Sequence, residues 1–187
     1  MTRALFLRHG ESVHNAHTGT EPLPEQEGDR LTELGLRQAR AAGAELVGHG
    51  ITRLLTSPMR RARETAAAVA EPLGLKPVEL PYAHELHAEE GFEGALARVR
   101  ELKAELESGA QGERPLLVTH GIFTRFFLLD SVLGEAFSAE TVAQIWQLGS
   151  FNCALSTFAR GEHRDPWAKE VPGWTCLTWM ERPWDRP

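Results

Sequence analysis

Two short apolar runs in this chain each end on a histidine that is followed at once by a glycine. Ala4-Leu5-Phe6-Leu7 leads into Arg8-His9-Gly10, and Pro115-Leu116-Leu117-Val118-Thr119 leads into His120-Gly121. An unbroken apolar run of this length, bounded by turn residues, reads as a strand buried on both faces, as in a parallel sheet. Ligands of open α/β sheets bind outside the carboxyl ends of the strands. The two imidazoles are therefore expected at one edge of one sheet, although they stand far apart in the sequence. The glycine after each lets a ligand approach the backbone. Arg8 adds a permanent cation beside His9, so the constellation suits an anion, with phosphate the leading candidate.

Between and after these runs, strand and helix patterns alternate. Residues 16–30 are polar with Gly and Pro and read as a loop. Thr32 is placed to cap a helix carrying Leu36, Ala39, Leu46 and Val47, closed by Gly48 and Gly50. Leu54-Leu55-Thr56 reads as a strand, and Ser57-Pro58 as a cap followed by proline at the first helical position. Met59, Ala62, Ala66, Val69, Ala70 and Leu73 then recur at helical spacing up to Gly74. Lys76 to Leu80 is a third strand. Residues 82–93 have no clear period, and from Gly94 a helix is marked by Leu96, Val99, Leu102 and Leu106. Ile122 to Leu129 is apolar throughout and predicts a buried helix. Ile145 to Leu148, Cys153 to Phe158 and Trp174 to Met180 read as strands, and the tail beyond Arg182 as irregular. The expectation is an α/β fold, a three-layer α/β/α sandwich on a mainly parallel central sheet. Its 187 residues fit a single domain, 1–187, with the motif-bearing part at about 4–158.

A formal charge of −6 argues against a general nucleic-acid binder, so any positive site must be local. No apolar stretch approaches the roughly 18 residues that span a bilayer. Met1-Thr2-Arg3 runs straight into a strand, and only Cys153 and Cys176 are present, so a reducing cytoplasm is the expected setting. Cys153 reads as a buried small residue. His14, His17, His84 and His87 form two His-x-x-His pairs with no Cys partner or dense carboxylate cluster, so no functional metal is expected. Trp146, Trp167, Trp174, Trp179 and Trp184 read as packing residues.

Leu7-Arg8-His9-Gly10-Glu11-Ser12, with Asn15 beyond it, resembles the Arg-His-Gly motif of the histidine phosphatase superfamily, the phosphoglycerate mutase-like proteins. Leu31-Thr32-Glu33-Leu34-Gly35-Leu36-Arg37-Gln38-Ala39, Ser57-Pro58-Met59-Arg60-Arg61-Ala62-Arg63-Glu64-Thr65-Ala66 and Val118-Thr119-His120-Gly121 resemble its further motifs, in order. The resemblance implies that His9 is the nucleophile, a neutral imidazole that takes the phosphoryl group. Arg8 and Arg61 would bind the phosphoryl oxygens, since a planar guanidinium binds phosphate bidentately. The family's arginine directly precedes alanine, which selects Arg61, with Arg60 as the alternative. His120, as an imidazolium, would donate to the same oxygens, and Asn15 and the Gly121 backbone N–H would complete the pocket. The family's proton donor is a glutamate before the third helix, here Glu85, with Glu89 as the alternative.

The implied activity is a cofactor-free, metal-independent phosphomonoesterase acting on a small-molecule phosphate ester through a phosphohistidine. The alternatives are a cofactor-dependent phosphoglycerate mutase, a protein phosphohistidine phosphatase and a non-catalytic phosphate-binding module. Cofactor-dependent mutases of the family carry a longer insertion and a longer tail, which favours hydrolysis. The substrate-selecting side chains are expected in residues 16–30, in 82–93 and after Gly121. The partner expected is the substrate, without nucleic acid or membrane, and a homodimer stays open.

Overall fold

The computed structural model describes residues 2–110, 112–161 and 173–185. Both apolar runs are strands, and they are neighbours. Strand β1 (Thr2–Arg8) pairs in parallel with β4 (Pro115–Thr119), bringing Arg8 opposite Thr119. On its other side β1 pairs antiparallel with β5 (Leu155–Arg160). With β2 (Arg53–Thr56), β3 (Pro77–Glu79) and β6 (Trp174–Glu181) the sheet runs β3-β2-β4-β1-β5-β6. The β3-β2-β4-β1 part is parallel, and β5 and β6 are antiparallel.

Successive side chains of a strand leave opposite faces. Leu5 and Leu7 accordingly join one core with Ala39, Leu46, Ala66 and Val69 from α3 (Glu33–Leu46) and α4 (Arg60–Leu73). Ala4 and Phe6 join the other with Leu96, Leu102, Phe123 and Phe127 from α5 (Gly91–Ser108) and α6 (Gly121–Leu133). Helices thus cover both faces, giving the expected three layers. A one-turn helix, α1 (Val13–Ala16), leads into the segment read as a loop, and a second, α2 (Glu25–Gly28), interrupts it.

Thr32 caps α3 as expected, its hydroxyl accepting the Gly35 N–H at 3.0 Å. Ser57 does not cap α4. The residue preceding that helix is Met59, with no side-chain cap of its own. Asp29 supplies the bond from outside, its carboxylate accepting the Arg60 N–H at 2.8 Å, while the Ser57 hydroxyl accepts the Met59 N–H at 3.2 Å and meets His120 at 2.7 Å. The third long helix starts ahead of Gly94, at Gly91, whose own φ of 67° is one that a side chain rarely adopts. Ile145–Leu148 is not a strand but part of a 3₁₀ turn over Val142–Gln147. A short apolar run cannot distinguish the two. Ile145 is buried there, and the Arg125 guanidinium holds the Leu148 carbonyl at 2.9 and 2.6 Å. Cys153 is buried as expected, but at φ of 52° it lies in the turn before β5. Trp174 is a core residue, whereas Trp146 is 66% exposed and so does not serve packing. Trp167 lies outside the described residues. No helix among the described residues is long and apolar enough to cross a membrane.

Candidate active site

His9 follows the last residue of β1, and its backbone continues the pairing. Its N–H reaches the Thr119 carbonyl at 2.9 Å, and its carbonyl accepts from Cys153 N and Asn152 Nδ2, each at 3.2 Å. The ring is fixed as firmly. Nδ1 lies 2.7 Å from the Gly10 carbonyl, which can only accept, so Nδ1 carries the hydrogen and Nε2 the lone pair. Gly10 permits this turn because a Cβ there would sit 2.5 Å from the Gly35 carbonyl oxygen.

Arg61, in the first turn of α4, joins the two histidines. Its Nε–H donates to His9 Nε2 at 3.1 Å, and its Nη2 lies 3.2 Å from His120 Nδ1. A guanidinium has no acceptor. His120 Nδ1 therefore accepts, and its Nε2–H donates to Ser57 Oγ at 2.7 Å. The rings of His9 and His120 lie 5.2 Å apart and are 3% and 0% exposed. Burial, then the Arg61 and Arg8 cations, holds the His9 pKa well below its ordinary value. Burial, then His9, Arg61 and Arg8, does the same to His120. With no phosphoryl group beside it, His120 is thus a neutral ring accepting from Arg61. Arg61 Nη1 is itself held by Asp29 at 2.5 Å.

Arg8 donates through Nη1 to the Ser150 carbonyl at 2.8 Å. Its buried Nε has no hydrogen-bond partner among the described residues. A Cβ on Gly121, the first residue of α6, would lie 3.5 Å from that nitrogen. An orphaned cationic donor beside a helix N-terminus is an environment for an anion. Burial pulls the Arg8 pKa down, opposed in part by the Glu85 carboxylate.

Glu85 stands across from these cations. It accepts Leu86 N at 3.0 Å, Phe123 N at 3.1 Å and Ile122 N at 3.3 Å, so a side chain from an irregular segment is anchored to the first turn of α6. Glu85, Arg61, Asp29, Met59, His14 and His87 face one cleft of about 230 Å³. Neither alternative lines this cleft. Glu89 is exposed, and Arg60 pairs with Glu64 at 2.7 Å. Asn15 is exposed at the end of the Ser12 cap, its amide oxygen accepting from Ser12 N and Asn152 Nδ2. It is one residue removed from His9, acting on the His9 carbonyl through Asn152.

Four of the contacting residues were not singled out from the sequence as parts of the site. Ser57 positions His120, Asp29 holds Arg61, and Asn152 holds the His9 carbonyl. Thr65 accepts the Gly10 N–H at 3.0 Å while donating to the Arg61 carbonyl at 2.7 Å. Thr65 and Ser57 lie in a quoted motif, but Asp29 and Asn152 sit in polar loops without periodicity. Among the described residues, no group of three or more His, Cys, Asp or Glu is placed to hold a metal ion.

Known proteins resemble this chain in sequence and in fold. Residues 4–91 match the histidine phosphatase superfamily (branch 1). A probable phosphoglycerate mutase GpmB from Yersinia enterocolitica is 31% identical over 93% of this chain and 90% of its own. A phosphoserine phosphatase from Entamoeba histolytica superposes with a TM-score of 0.76 over the whole of both chains, at 15% identity. A mycobacterial glucosyl-3-phosphoglycerate phosphatase superposes with a TM-score of 0.71 over 96% of this chain and 99% of that one, at 22% identity. At such identities the solved structures share the fold, whereas the sequence relative and the matched motifs carry the kinship. The chain belongs to the histidine phosphatase superfamily.

Proposed function

We propose that the protein hydrolyses phosphomonoesters, without a metal ion, through a phosphohistidine on His9. One observation carries this reading: the Gly10 carbonyl fixes the His9 tautomer so that the Nε2 lone pair points at Arg61, beside Arg8. The phosphoryl group displaces the Arg61 Nε–H from Nε2, and the same guanidinium then takes up its oxygens. His9 Nε2 attacks phosphorus and the P–O ester bond breaks. A proton passes from the Glu85 carboxyl group to the departing oxygen. The resulting carboxylate then takes a proton from water, the water oxygen attacks phosphorus, and the P–N bond breaks. Inorganic phosphate leaves, His9 is neutral again and Glu85 has regained its proton. A phosphoryl dianion beside His120 favours protonation of that ring, which then becomes a donor. Positioning and charge stabilisation do most of the work in phosphoryl transfer.

The test is phosphate release from a panel of phosphomonoesters in the presence of EDTA, with trapping of acid-labile phosphate on the protein. Release together with a label on His9 is expected. No release from any ester, with no label, sinks the proposal.

A second reading is favoured by one finding, the name of the Yersinia relative. A phosphoglycerate mutase would return the phosphoryl group from His9 to another hydroxyl. Conversion of 3- to 2-phosphoglycerate only after priming with 2,3-bisphosphoglycerate, with little free phosphate, would replace hydrolysis by this activity.

A further inference from the structure

A second cleft, of about 430 Å³, lies beside the candidate site and has no part in the chemistry above. Leu86, Phe92, Ile122, Phe126, Val142 and Trp146 face it, and its lining contains no Asp, Glu, Lys or Arg. Phe92 and Phe126 give it two aromatic rings, with centroids 5.7 Å apart, and the buried Phe137 packs edge-on against both at 5.0 and 5.1 Å. Trp146 stands on its rim, its ring 5.5 Å from the Arg125 guanidinium.

The two clefts meet. His87 lines both. Glu85 marks the seam, because Leu86 follows it in sequence and the Ile122 N–H donates to its carboxylate at 3.3 Å. A proton donor must touch the departing oxygen. Whatever that oxygen carries therefore begins at the mouth of the apolar cleft. A leaving group bearing a carboxylate would meet no cation among the lining residues, since the Arg125 guanidinium at the rim is stacked on Trp146 and donates to the Leu148 carbonyl, and an unpaired charge in apolar surroundings is strongly disfavoured.

We infer that this cleft receives the leaving group, and that the substrates are phosphomonoesters of alcohols with a largely apolar alkyl or aryl body. The inference names the substrate class for the activity proposed above and rests on that reading for the role of Glu85.

Binding and turnover separate the two. The probes are methyl-, butyl-, hexyl- and 2-phenylethylphosphonate, which cannot be hydrolysed at the P–C bond, with 3-phosphonopropanoate as the charged control. Calorimetry should show affinity rising about fourfold per added methylene, with the carboxylate of the control cancelling the gain. Trp146→Ala and Ala88→Asp, both at exposed positions, should flatten the series. A flat series in the unmodified protein, or a series unchanged in both variants, overturns the inference. Phosphate release from the matching phosphate esters is followed in parallel. A rising affinity series without phosphate release leaves the subsite standing and removes the hydrolase reading. Release from every ester with a flat series does the reverse. Absence of binding by all five phosphonates overturns both.

Discussion

The floor of the site and its walls are built differently. The floor is His9, Arg61 and His120, set at the ends of β1 and β4 and in the first turn of α4. Its rings are buried, and each ring nitrogen has a named partner. The walls are short 3₁₀ turns, Ala88–Glu90 and Val142–Gln147, where side chains such as Glu89 and Trp146 stand exposed. The phosphoryl group is the same in every ester, so the groups that meet it can be fixed in the sheet. The leaving group differs between esters, and irregular backbone can change to suit it without disturbing a strand register. Glu85 belongs to both regions: its backbone is in a wall, but its carboxylate is fastened to α6.

Removing the proposed nucleophile from the floor should have the largest effect. His9→Ala is expected to lower phosphate release roughly 10⁴-fold or more and to abolish the acid-labile label. Activity close to that of the unmodified protein would mean that the buried floor is not where the chemistry occurs. Glu85→Gln tests the residue shared by both regions. It should cost about 10²–10⁴-fold on an alkyl phosphate and far less on an aryl phosphate with a good leaving group. Equal losses on both would reduce Glu85 to a fastening for the wall. Asp29→Ala asks how much of the floor depends on a loop. Arg61 loses its Nη1 partner and α4 loses an external cap. We expect about a tenfold fall in kcat/KM and a loss of about 1 kcal/mol of stability. An unchanged kcat/KM would show that Arg61 is positioned by the histidines alone.

The smallest effect is the pH dependence of stability. His9 and His120 have folded pKa values below their ordinary 6.5. Above that value both states are neutral and the full stability is present. As pH falls below it the unfolded chain takes up protons first, so stability declines until the lower folded values are reached. Each imidazole contributes a slope of at most about 1.4 kcal/mol per pH unit in that window. Urea unfolding at pH 7.5 and 5.5 should therefore show a smaller acid loss for His120→Gln than for the unmodified protein. An equal loss would mean that His120 is charged in the fold.

The parts of the molecule that were legible in the sequence are those where one physical signal acts alone. Continuous apolar runs ending in His-Gly located both histidines, and helical spacing located α3 and α4. The motif selected Arg61 over Arg60, and the helix geometry separates them, sending Arg60 to Glu64. Ser57 was misread because a serine before proline meets every local criterion for a cap, and only the distant His120 and Asp29 decide otherwise. Asp29 itself gave no signal, since its partners lie across a polar loop. The charge of His120 without a phosphoryl group was not legible because it depends on which neighbours donate, and Arg61 can only donate. Ile145–Leu148 failed as a strand because four apolar residues fit a turn with one buried anchor equally well.

The position of β1 has a consequence for how the molecule matures. Its two hydrogen-bonded neighbours are β4 and β5, both far along the chain, whereas β2, α4 and β3 form a locally connected unit. Long-range pairings close late because the intervening chain must first be ordered. A half-assembled molecule can therefore own a helix bearing Arg61 while still lacking a fixed His9. Recovery of enzymatic activity during refolding should then lag behind helix formation and coincide with the last strand docking, which makes turnover a readout of complete assembly.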